Sequence, residues 1–556
     1  MKYLLEKLLL ILAIIGPLST AWGAEVFNPR HAPGYQQGTW STVHGDSTNG
    51  DYVPLVVSDQ LRPSWHLLEG AVLFTAAPVV ADGTIYIASG RGPGYSHLHA
   101  ISPQGEILWE SAPQKSLDDL DSAAVISAPV VDDQGDVYIS DMNQFWAFYP
   151  GGAVKWVARL DSHGIDRPFV TAMIAGDKGQ YVGGISADGK VALFDRASGE
   201  LAMPVLELPG KANPANDPTP AGLWEGGLMD TRIRDFAWDI LNGDQYEVTN
   251  SPAVHPSTGR VFITAGGTTD QEGVVYGIDV LDRQLTIAFA TAVPPESGTS
   301  PAISADGSKV YAMAQGGQLF AIDAGSGELL WQADTKAQDA SPSVGPDNSL
   351  YILGGDHLVA VNGDNGEIKW RVEYSDFAAT KLPRVWTRFG LIGNNGMPRS
   401  YIDSVVTVTP KKIWTSLLLG YDINLFGTKF NRTIETHMVA LDPEDGSILA
   451  DYPIPDTSEG GISMGRHGEV YMDILACGGS IHHYSSVGWL LPEALQVPKP
   501  KGGLVAFEPV SQRQQLALGL EWINELLSAE GGNHPLSLSR ARSQLLASLE
   551  SLQLAA

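Results

Sequence analysis

The sequence predicts an all-β protein, an eight-bladed β-propeller followed by a C-terminal α-helical hairpin, and three observations support this. A unit of about 40 residues recurs along the chain, which is the length of a four-stranded propeller blade. Tight turns with Gly or Asp separate short apolar strands within each unit. After Pro509 the apolar residues change from strand spacing to helix spacing.

The two clearest units begin at Ser300-Pro301-Ala302 and Ser341-Pro342-Ser343. Each continues through a strand with Tyr, a strand ending in Asp or Asn, and a Gly-Glu turn that leads to Trp331 or Trp370. Six further units are legible; they start at Ala77-Pro78, Ala128-Pro129, Thr171, Ser251-Pro252, Ser404 and Gly461.

The eighth unit lacks a convincing last strand, whereas Leu61 to Leu68, around Trp65, resembles a last strand without a blade. We expect this segment to complete blade eight, because pairing of the two chain ends removes open sheet edges. The predicted organisation is a signal peptide over 1–23, an N-terminal lead-in over 24–60, the propeller over 61–509 and a helical tail over 510–556.

The N-terminus has the features of a signal peptide: Lys2 and Lys7, an apolar core from Leu8 to Ile15, and Ala21-Trp22-Gly23 as cleavage site. The apolar core is too short to span a bilayer, and no later apolar run is long enough. The sequence therefore predicts a soluble periplasmic or secreted protein without membrane insertion.

Acidic residues outnumber basic residues by 63 to 35, which gives a formal net charge of −28. Such a surface repels phosphate backbones, so we expect no nucleic-acid partner. Cys477 is the single cysteine, which excludes an intramolecular disulfide and a Cys-x-x-Cys-His haem attachment site.

The strand order predicts that all long connections crowd one face of the propeller. Turns between first and second strands, and between third and fourth strands, are tight. The long insertions fall between blades or between second and third strands: 204–249, 371–401, 416–436 and 474–503. This loop-rich face is the expected binding surface for a protein or small molecule, with a structural cap over the channel as the alternative.

The tail over 510–556 contains two segments with helical spacing, Gln512 to Ala529 and Leu536 to Leu554, joined by Glu530-Gly531-Gly532-Asn533. A helical hairpin packed on itself or on the propeller is predicted, and a partner-docking element is the alternative.

The units at 321–331 and 360–370 resemble the tryptophan-docking motif of quinoprotein propellers, the pyrroloquinoline-quinone-repeat family similar to quinoprotein alcohol dehydrogenases. The lead-in from Trp40 to Trp65, with Gly45-Asp46, Asn49 and Pro54-Leu55, resembles the N-terminal segment of the same enzymes. The resemblance implies that repeat tryptophans pack between neighbouring blades; these would be Trp109, Trp156, Trp331 and Trp370.

This family has two branches, and the chain matches neither in every feature. Its dehydrogenases bind the quinone and a calcium ion in the central channel, and many carry two adjacent cysteines, which cannot exist here. The other branch is the propeller subunit of the outer-membrane β-barrel assembly machinery, a scaffold without quinone and normally a lipoprotein. The lipid-attachment cysteine of that branch is absent from this sequence.

If a quinone binds, the insertion at 224–247 and the connection at 384–403 carry the candidate residues, because carboxylates and amides near aromatic rings can hold a hard cation and a planar ring. The predicted cofactor-binding residues are Trp224, Trp238, Asn242, Arg384 and Arg388. The predicted metal ligands are Glu225, Asp230 and Asp244, and the candidate catalytic bases are Asp235 and Asp239. A solvated loop with internal ion pairs is the alternative interpretation.

Two functions remain open at this point. The first is a non-catalytic binding or scaffold protein that acts through the loop-rich face. The second is a pyrroloquinoline-quinone-dependent dehydrogenase with calcium that oxidises an alcohol-type substrate. A hydrolase or lyase on the same scaffold is a further alternative, and fold alone does not choose between them.

Overall fold

The structure, a computed structural model, describes most residues from Asn28 to Val510, and Leu546 beyond them. The residues left out between these ends are 59, 70–76, 93–94, 112–126, 142, 168, 170–172, 211–249, 270–271, 296–297, 338–339, 386–392, 403, 426–427, 457, 459 and 475–501. The predicted signal peptide lies outside the described residues, and so does the predicted helical tail over 510–556 except for Val510 and Leu546.

The chain divides into two units. From the first unit the structure describes Gln60–Arg62, Glu508 to Val510 and Leu546, where Val510 donates a backbone hydrogen bond to Gln60 and Arg62 pairs with Glu508. The second unit spans Glu25–Asp59 and Pro63–Phe507 and contains the propeller.

Thirty-four strands, numbered in chain order, form eight antiparallel sheets within the described residues. Blade 1 contains β1 (Gly38–Trp40), β3 (Val79–Ala81), β4 (Thr84–Gly92), β5 (Tyr95–Ile101) and β6 (Ile107–Glu110). Blade 2 contains β7 (Val130–Val131), β8 (Val137–Ser140), β9 (Gln144–Phe148) and β10 (Val154–Arg159). Blade 3 contains β11 (Met173–Ala175), β12 (Tyr181–Ile185), β13 (Lys190–Asp195) and β14 (Leu206–Glu207). Blade 4 contains β15 (Ala253–Val254), β16 (Val261–Gly266), β17 (Gly273–Leu281) and β18 (Gln284–Val293).

The remaining four blades follow the same order. Blade 5 contains β19 (Ala302–Ile303), β20 (Lys309–Ala314), β21 (Gln318–Asp323) and β22 (Leu329–Asp334). Blade 6 contains β23 (Ser343–Val344), β24 (Ser349–Leu353), β25 (His357–Asn362) and β26 (Ile368–Glu373). Blade 7 contains β27 (Arg399–Ile402), β28 (Thr407–Val408), β29 (Ile413–Leu425), β30 (Thr428–Leu441) and β31 (Ile448–Ile454). Blade 8 contains β32 (Ser463–Met464), β33 (Val470–Ile474), β34 (Gly503–Pro509) and β2 (Leu61–Leu67).

The predicted closure of blade 8 is confirmed, because β2 joins the sheet next to β34 in the order β2-β34-β33-β32. The imidazole Nε2 of His66 lies 2.8 Å from the carbonyl of Gly502 at this junction. The eight predicted blades are therefore all present, and blade 1 has gained an extra inner strand, β1, which pairs with β3.

The core lies between neighbouring blades. Second and third strands are buried on both faces, as in β9, where all five residues are buried. Such strands consist of nearly continuous apolar residues instead of alternating ones, because blades cover both sides of them. The hydrophobic clusters accordingly join residues of adjacent blades, for example Tyr311 and Leu350.

A tryptophan on the outer strand of one blade packs against a glycine in the turn between the third and fourth strands of the next. A Cβ placed on Gly152 would lie 2.6 Å from Trp109, and one on Gly366 would lie 2.8 Å from Trp331. Both glycines also have positive φ, which favours glycine. Trp109 Nε1 completes its contact by donating to Pro150 O at 2.8 Å. Whether these units are the docking motif of quinoproteins stays a prediction.

The predicted insertion at 416–436 is corrected, since this stretch belongs to the long hairpin of β29 and β30 and is not a loop. Leu417, Leu419 and Tyr421 alternate on one face of β29 and are buried in a cluster with residues of a short helix, α1 (Ser375–Lys381). This burial is why the segment stays extended despite its glycines and asparagines. α1 lies in the predicted insertion 371–401, together with a 3-10 turn at Asn394–Gly396.

Candidate functional site on the propeller axis

The propeller axis is filled by the chain itself. Residues 28–58, here called the axial segment, run past the innermost strands of the blades. Five of its carbonyls accept hydrogen bonds from one backbone N–H in each of five blades. The pairs are Val131 to Ser41 in blade 2, Val254 to Ser47 in blade 4, Ile303 to Thr48 in blade 5, Val344 to Gly50 in blade 6 and Val408 to Asp51 in blade 7.

The remaining blades contact the axial segment in other ways. In blade 3 the N–H of Ile174 donates to the hydroxyl of Tyr35 at 2.9 Å. In blade 1 the strand β1 pairs directly with β3, and in blade 8 a Cβ on Gly461 would lie 3.1 Å from the Trp40 ring. The axial segment therefore covers inner strand edges that would otherwise expose unpaired backbone groups.

Arg30 fixes the axial segment to blade 6. Its guanidinium donates from Nη1 to the carbonyl of Val344 at 2.8 Å and from Nη2 to the carbonyl of Gly345 at 2.9 Å. It also lies 4.3 Å from the ring centre of Tyr52, a cation–π contact. Burial lowers the pKa of Arg30, and Asp46 opposes that shift.

A chain of hydrogen bonds links the axial segment to the residues at the start of blades 5 and 6. His44 Nδ1 lies 2.9 Å from Asp51 Oδ1, and His44 Nε2 lies 3.0 Å from the Ser300 hydroxyl. The second oxygen of Asp51 accepts from Ser343 at 3.0 Å. Burial raises the pKa of Asp51, while His44 and Ser343 act in the opposite direction.

This Ser-His-Asp order has the distances of a nucleophilic triad, but its surroundings differ from those of a reactive serine. Ser300 is buried, and its hydroxyl also accepts the backbone N–H of Ser251 at 3.0 Å. The N–H of Ser300 in turn donates to Ser341 at 2.9 Å. The serines at the start of successive blades thus bond to one another. The hydrogen bonds of His44 and Asp51 therefore connect the axial segment to the blades.

Asp473, on β33 of blade 8, is a buried carboxyl with an unusual environment. Its Oδ1 accepts from Ser458 at 3.1 Å, whereas its Oδ2 has no hydrogen-bond partner among the described residues. Burial raises the pKa of Asp473 to about 7. Cys477, which follows β33 along the chain, lies outside the described residues.

A second polar cluster lies where blade 6 meets blade 7. Tyr401 donates to Asp422 at 2.7 Å, and Arg399 lies 3.4 Å from the same carboxylate. Asp356 lies 3.9 Å from Arg399 and 2.8 Å from His357 Nδ1. Each charge in this cluster faces an opposite charge or a hydrogen-bond donor, so the cluster fixes β27 against blade 6.

Most of the sequence-predicted site residues cannot be located. Trp224, Glu225, Asp230, Asp235, Trp238, Asp239, Asn242, Asp244 and Arg388 lie outside the described residues. Arg384 is exposed, and its Nε donates to the carbonyl of Asn395 at 3.0 Å. Within the residues that the structure describes, no group of three or more His, Cys, Asp or Glu side chains is placed to hold a metal ion.

A quinone with calcium in the channel, as the resemblance implies, does not fit the axial residues that the structure describes. Asp46 already accepts from the backbone N–H of Thr48 at 2.8 Å and from Asn28 at 3.1 Å. Asn49 donates to the carbonyls of Ser251 and Pro301. These side chains are buried, and they already form hydrogen bonds within the axial segment, for Asp46, or to carbonyls at the start of blades 4 and 5, for Asn49.

The comparisons with known proteins agree with this architecture. A family model described as "Outer membrane protein assembly factor BamB" matches residues 253–472. The resemblance to the pyrroloquinoline-quinone-repeat propellers is confirmed. No protein in the curated set matches the chain.

Among solved structures, a quinohemoprotein alcohol dehydrogenase from Comamonas testosteroni is similar at 13% identity with a TM-score of 0.54, covering 84% of this chain and 80% of the other. A europium-containing methanol dehydrogenase is similar at 11% identity with a TM-score of 0.50, covering 84% and 97%. BamB from Moraxella catarrhalis is similar at 12% identity with a TM-score of 0.46, covering 81% and 99%. At these identities the likeness shows the fold alone.

The axial segment is the part of the site that the sequence did not predict. Its core, Ser41 to Asp51, is rich in Ser, Thr, Asn, Asp and Gly and has no strand alternation. A polar run whose only charged residues are Asp46 and Asp51, placed before the first of eight repeats, is the signal that could have pointed to it. Among the described residues, no helix has the length and apolar character needed to cross a bilayer.

Proposed function

We propose that this protein is a binding or scaffold protein of the cell envelope that recognises a partner through its loop-rich face. The observation that carries the proposal is the axial segment: residues 28–58 bond to the innermost strands of the blades, and the polar groups of that segment are engaged there. The family model that matches residues 253–472 is named for an outer-membrane assembly factor, which supports the same interpretation.

The loop-rich face suits this role because its connections vary while the blades beneath stay regular. Among the described residues it presents Arg384 and Met397, both exposed, beside α1. An arginine and a methionine on a rigid support are residue types found in protein interfaces. We infer that the partner is a protein instead of a small molecule held on the axis.

The first experiment separates the scaffold from the dehydrogenase. The purified protein is titrated with pyrroloquinoline quinone, with and without calcium, while tryptophan fluorescence is followed. We expect no saturable quenching in either condition. Calcium-dependent, saturable quenching at micromolar quinone would overturn the proposal and support an enzyme whose cofactor site is built from the predicted residues around 224–247.

The second experiment tests the face. A photo-crosslinking amino acid replaces Arg384 on the loop-rich face or, as the matched control, Glu444 in an exposed tight turn of blade 7 on the opposite face. The proposal expects a crosslinked partner in the producing cell from position 384 and none from position 444. Equal crosslinking at both positions, or crosslinking at 444 alone, contradicts it.

A further inference from the structure

The rim of the propeller has one outer strand unlike the others. β18 of blade 4 has 10 residues, whereas the other seven outer strands have between 2 and 7. Each of those seven contains a charged residue or a proline, such as Lys155, Asp334 and Lys369. β18, with the sequence QLTIAFATAV, contains neither.

Charges, prolines and short length are the devices by which sheet edges avoid pairing with other chains. β18 has none of these devices along an edge of about 30 Å. After Gln284 at its start, its exposed side chains are small: Thr286, Ala288, Ala290 and Ala292. Its backbone pairs with β17 on the inner side, and within the described residues no backbone hydrogen bond is made by its outer edge.

The two ends of this edge are defined. The turn before β18 has positive φ at Asp282 and Arg283, and Pro294 follows its last residue. An added strand could therefore extend the sheet over these ten residues and no further, because proline has no N–H to continue the ladder.

Charge at the two ends indicates the occupant. Asp282 is exposed at one end, and Glu272, next to the residue that pairs with Val293, is exposed at the other. Arg283 turns away and donates to the carbonyl of Ala202. A second copy of this chain would bring another net charge of −28 to the same place, which disfavours self-pairing.

We propose that β18 is a docking edge for an extended segment of a partner protein, uncharged in its centre and basic at both ends. The segment adds to blade 4 as a fifth strand, with main-chain hydrogen bonds supplying affinity and the terminal carboxylates supplying register. This rim site is separate from the loop-rich face, so either binding surface can be lost without the other.

The test uses a fluorescein-labelled nonapeptide, Lys-Thr-Val-Thr-Val-Thr-Val-Thr-Lys, and fluorescence anisotropy with the full protein. We expect saturable binding in the micromolar range. The same peptide with alternate backbone nitrogens methylated should bind at least tenfold more weakly, because it cannot form one side of the ladder. A Glu-flanked peptide should also bind more weakly, as the carboxylates at both ends of β18 repel it.

Protein variants locate the site. The double variant Ala288→Lys/Ala290→Lys places charges on the edge and should weaken binding at least tenfold, whereas Gln332→Lys on the exposed outer strand of blade 5 should leave it unchanged. Circular dichroism confirms that both variants fold.

Three results overturn the proposal. One is equal binding of the methylated peptide, and another is equal binding to the double variant. The third is a wild-type dimer in sedimentation that the double variant abolishes, which would make a second copy the occupant. Loss of crosslinking at position 384 with intact peptide binding would refute the proposed function alone.

Discussion

Replacing Arg30 with methionine tests whether the axial segment holds the propeller together. Methionine keeps the length and apolar stem of the side chain but removes the guanidinium. The carbonyl of Val344 then loses its guanidinium donor at 2.8 Å, in a place where Arg30 itself is only 5% exposed. The carbonyl of Gly345 loses its guanidinium donor at 2.9 Å but keeps the N–H of Asn348 at 3.2 Å. The cation–π contact with Tyr52 disappears as well.

The expected cost is the balance of two effects. A buried carbonyl without its donor, as at Val344, costs about 1–3 kcal/mol, and the loss at Gly345 is smaller because Asn348 still donates to it. Removal of a buried charge returns part of this, because the guanidinium no longer has to be desolvated. We therefore expect the free energy of unfolding to fall by about 2 kcal/mol. Arg30→Lys should lose a similar amount, since an ammonium cannot reproduce the two directed bonds of the planar group.

The assay is urea denaturation followed by tryptophan fluorescence, combined with hydrogen exchange of the backbone amides that the axial segment covers. In the variant, the amide of Val344 should exchange faster than that of Val137, which lies in blade 2 and pairs within its own sheet. A variant that matches the wild type in both stability and exchange would refute the idea that the axial segment supports the blades.

Three further predictions concern single side chains. Ser300→Ala should lower the free energy of unfolding in urea denaturation by about 2 kcal/mol, because His44 and the Ser251 amide lose their hydrogen-bond partner. Unchanged stability would contradict a structural role of Ser300 and favour a catalytic one. Because the pKa of Asp473 is raised in the folded state from 3.8 to about 7, its contribution to stability is present below pH 4 and is lost as the pH rises through 7. Asp473→Asn should therefore flatten the fall of the melting temperature between about pH 4 and pH 7, and a parallel fall would contradict this. Gly366→Ala should lower the free energy of unfolding by about 3 kcal/mol, because the new Cβ would collide with Trp331. Gly316 has the same φ of 78° but open space around it, so Gly316→Ala should cost about 1 kcal/mol. Equal losses in the two variants would refute the contact with Trp331.

The blades could be predicted because their signals are local. The Ser-Pro starts at Ser300 and Ser341, the glycine turns and the outer tryptophans recur in the same order from unit to unit. The closing strand around Trp65 could be recognised because it copies the end of a unit. Turn residues and apolar spacing depend only on residues that are close together along the chain, and the strands and turns that they predicted are present in the structure.

The bonding partners of the axial segment could not be predicted, for the opposite reason. Its partners are far away along the chain, and Arg30 reaches a carbonyl 315 residues later. No periodicity encodes such contacts. The hairpin of β29 and β30 was missed because Gly420 and Asn424 favour a loop locally, while burial of Leu417 and Leu419 against α1 overrides that preference. Most predicted quinone and calcium residues belong to the connection at 211–249, so their roles stay predictions.

The bonding of the axial segment has a consequence for how this fold can change over evolution. Its acceptors stand in a fixed series, from Ser41 through Ser47, Thr48 and Gly50 to Asp51, and each takes the amide of one particular blade. Propellers can gain a blade by duplication of a repeat. Here a blade inserted between blades 4 and 5 would separate two amides whose acceptors, Ser47 and Thr48, are adjacent in the axial segment. The short spacing of these acceptors therefore disfavours an added blade within blades 4 to 7.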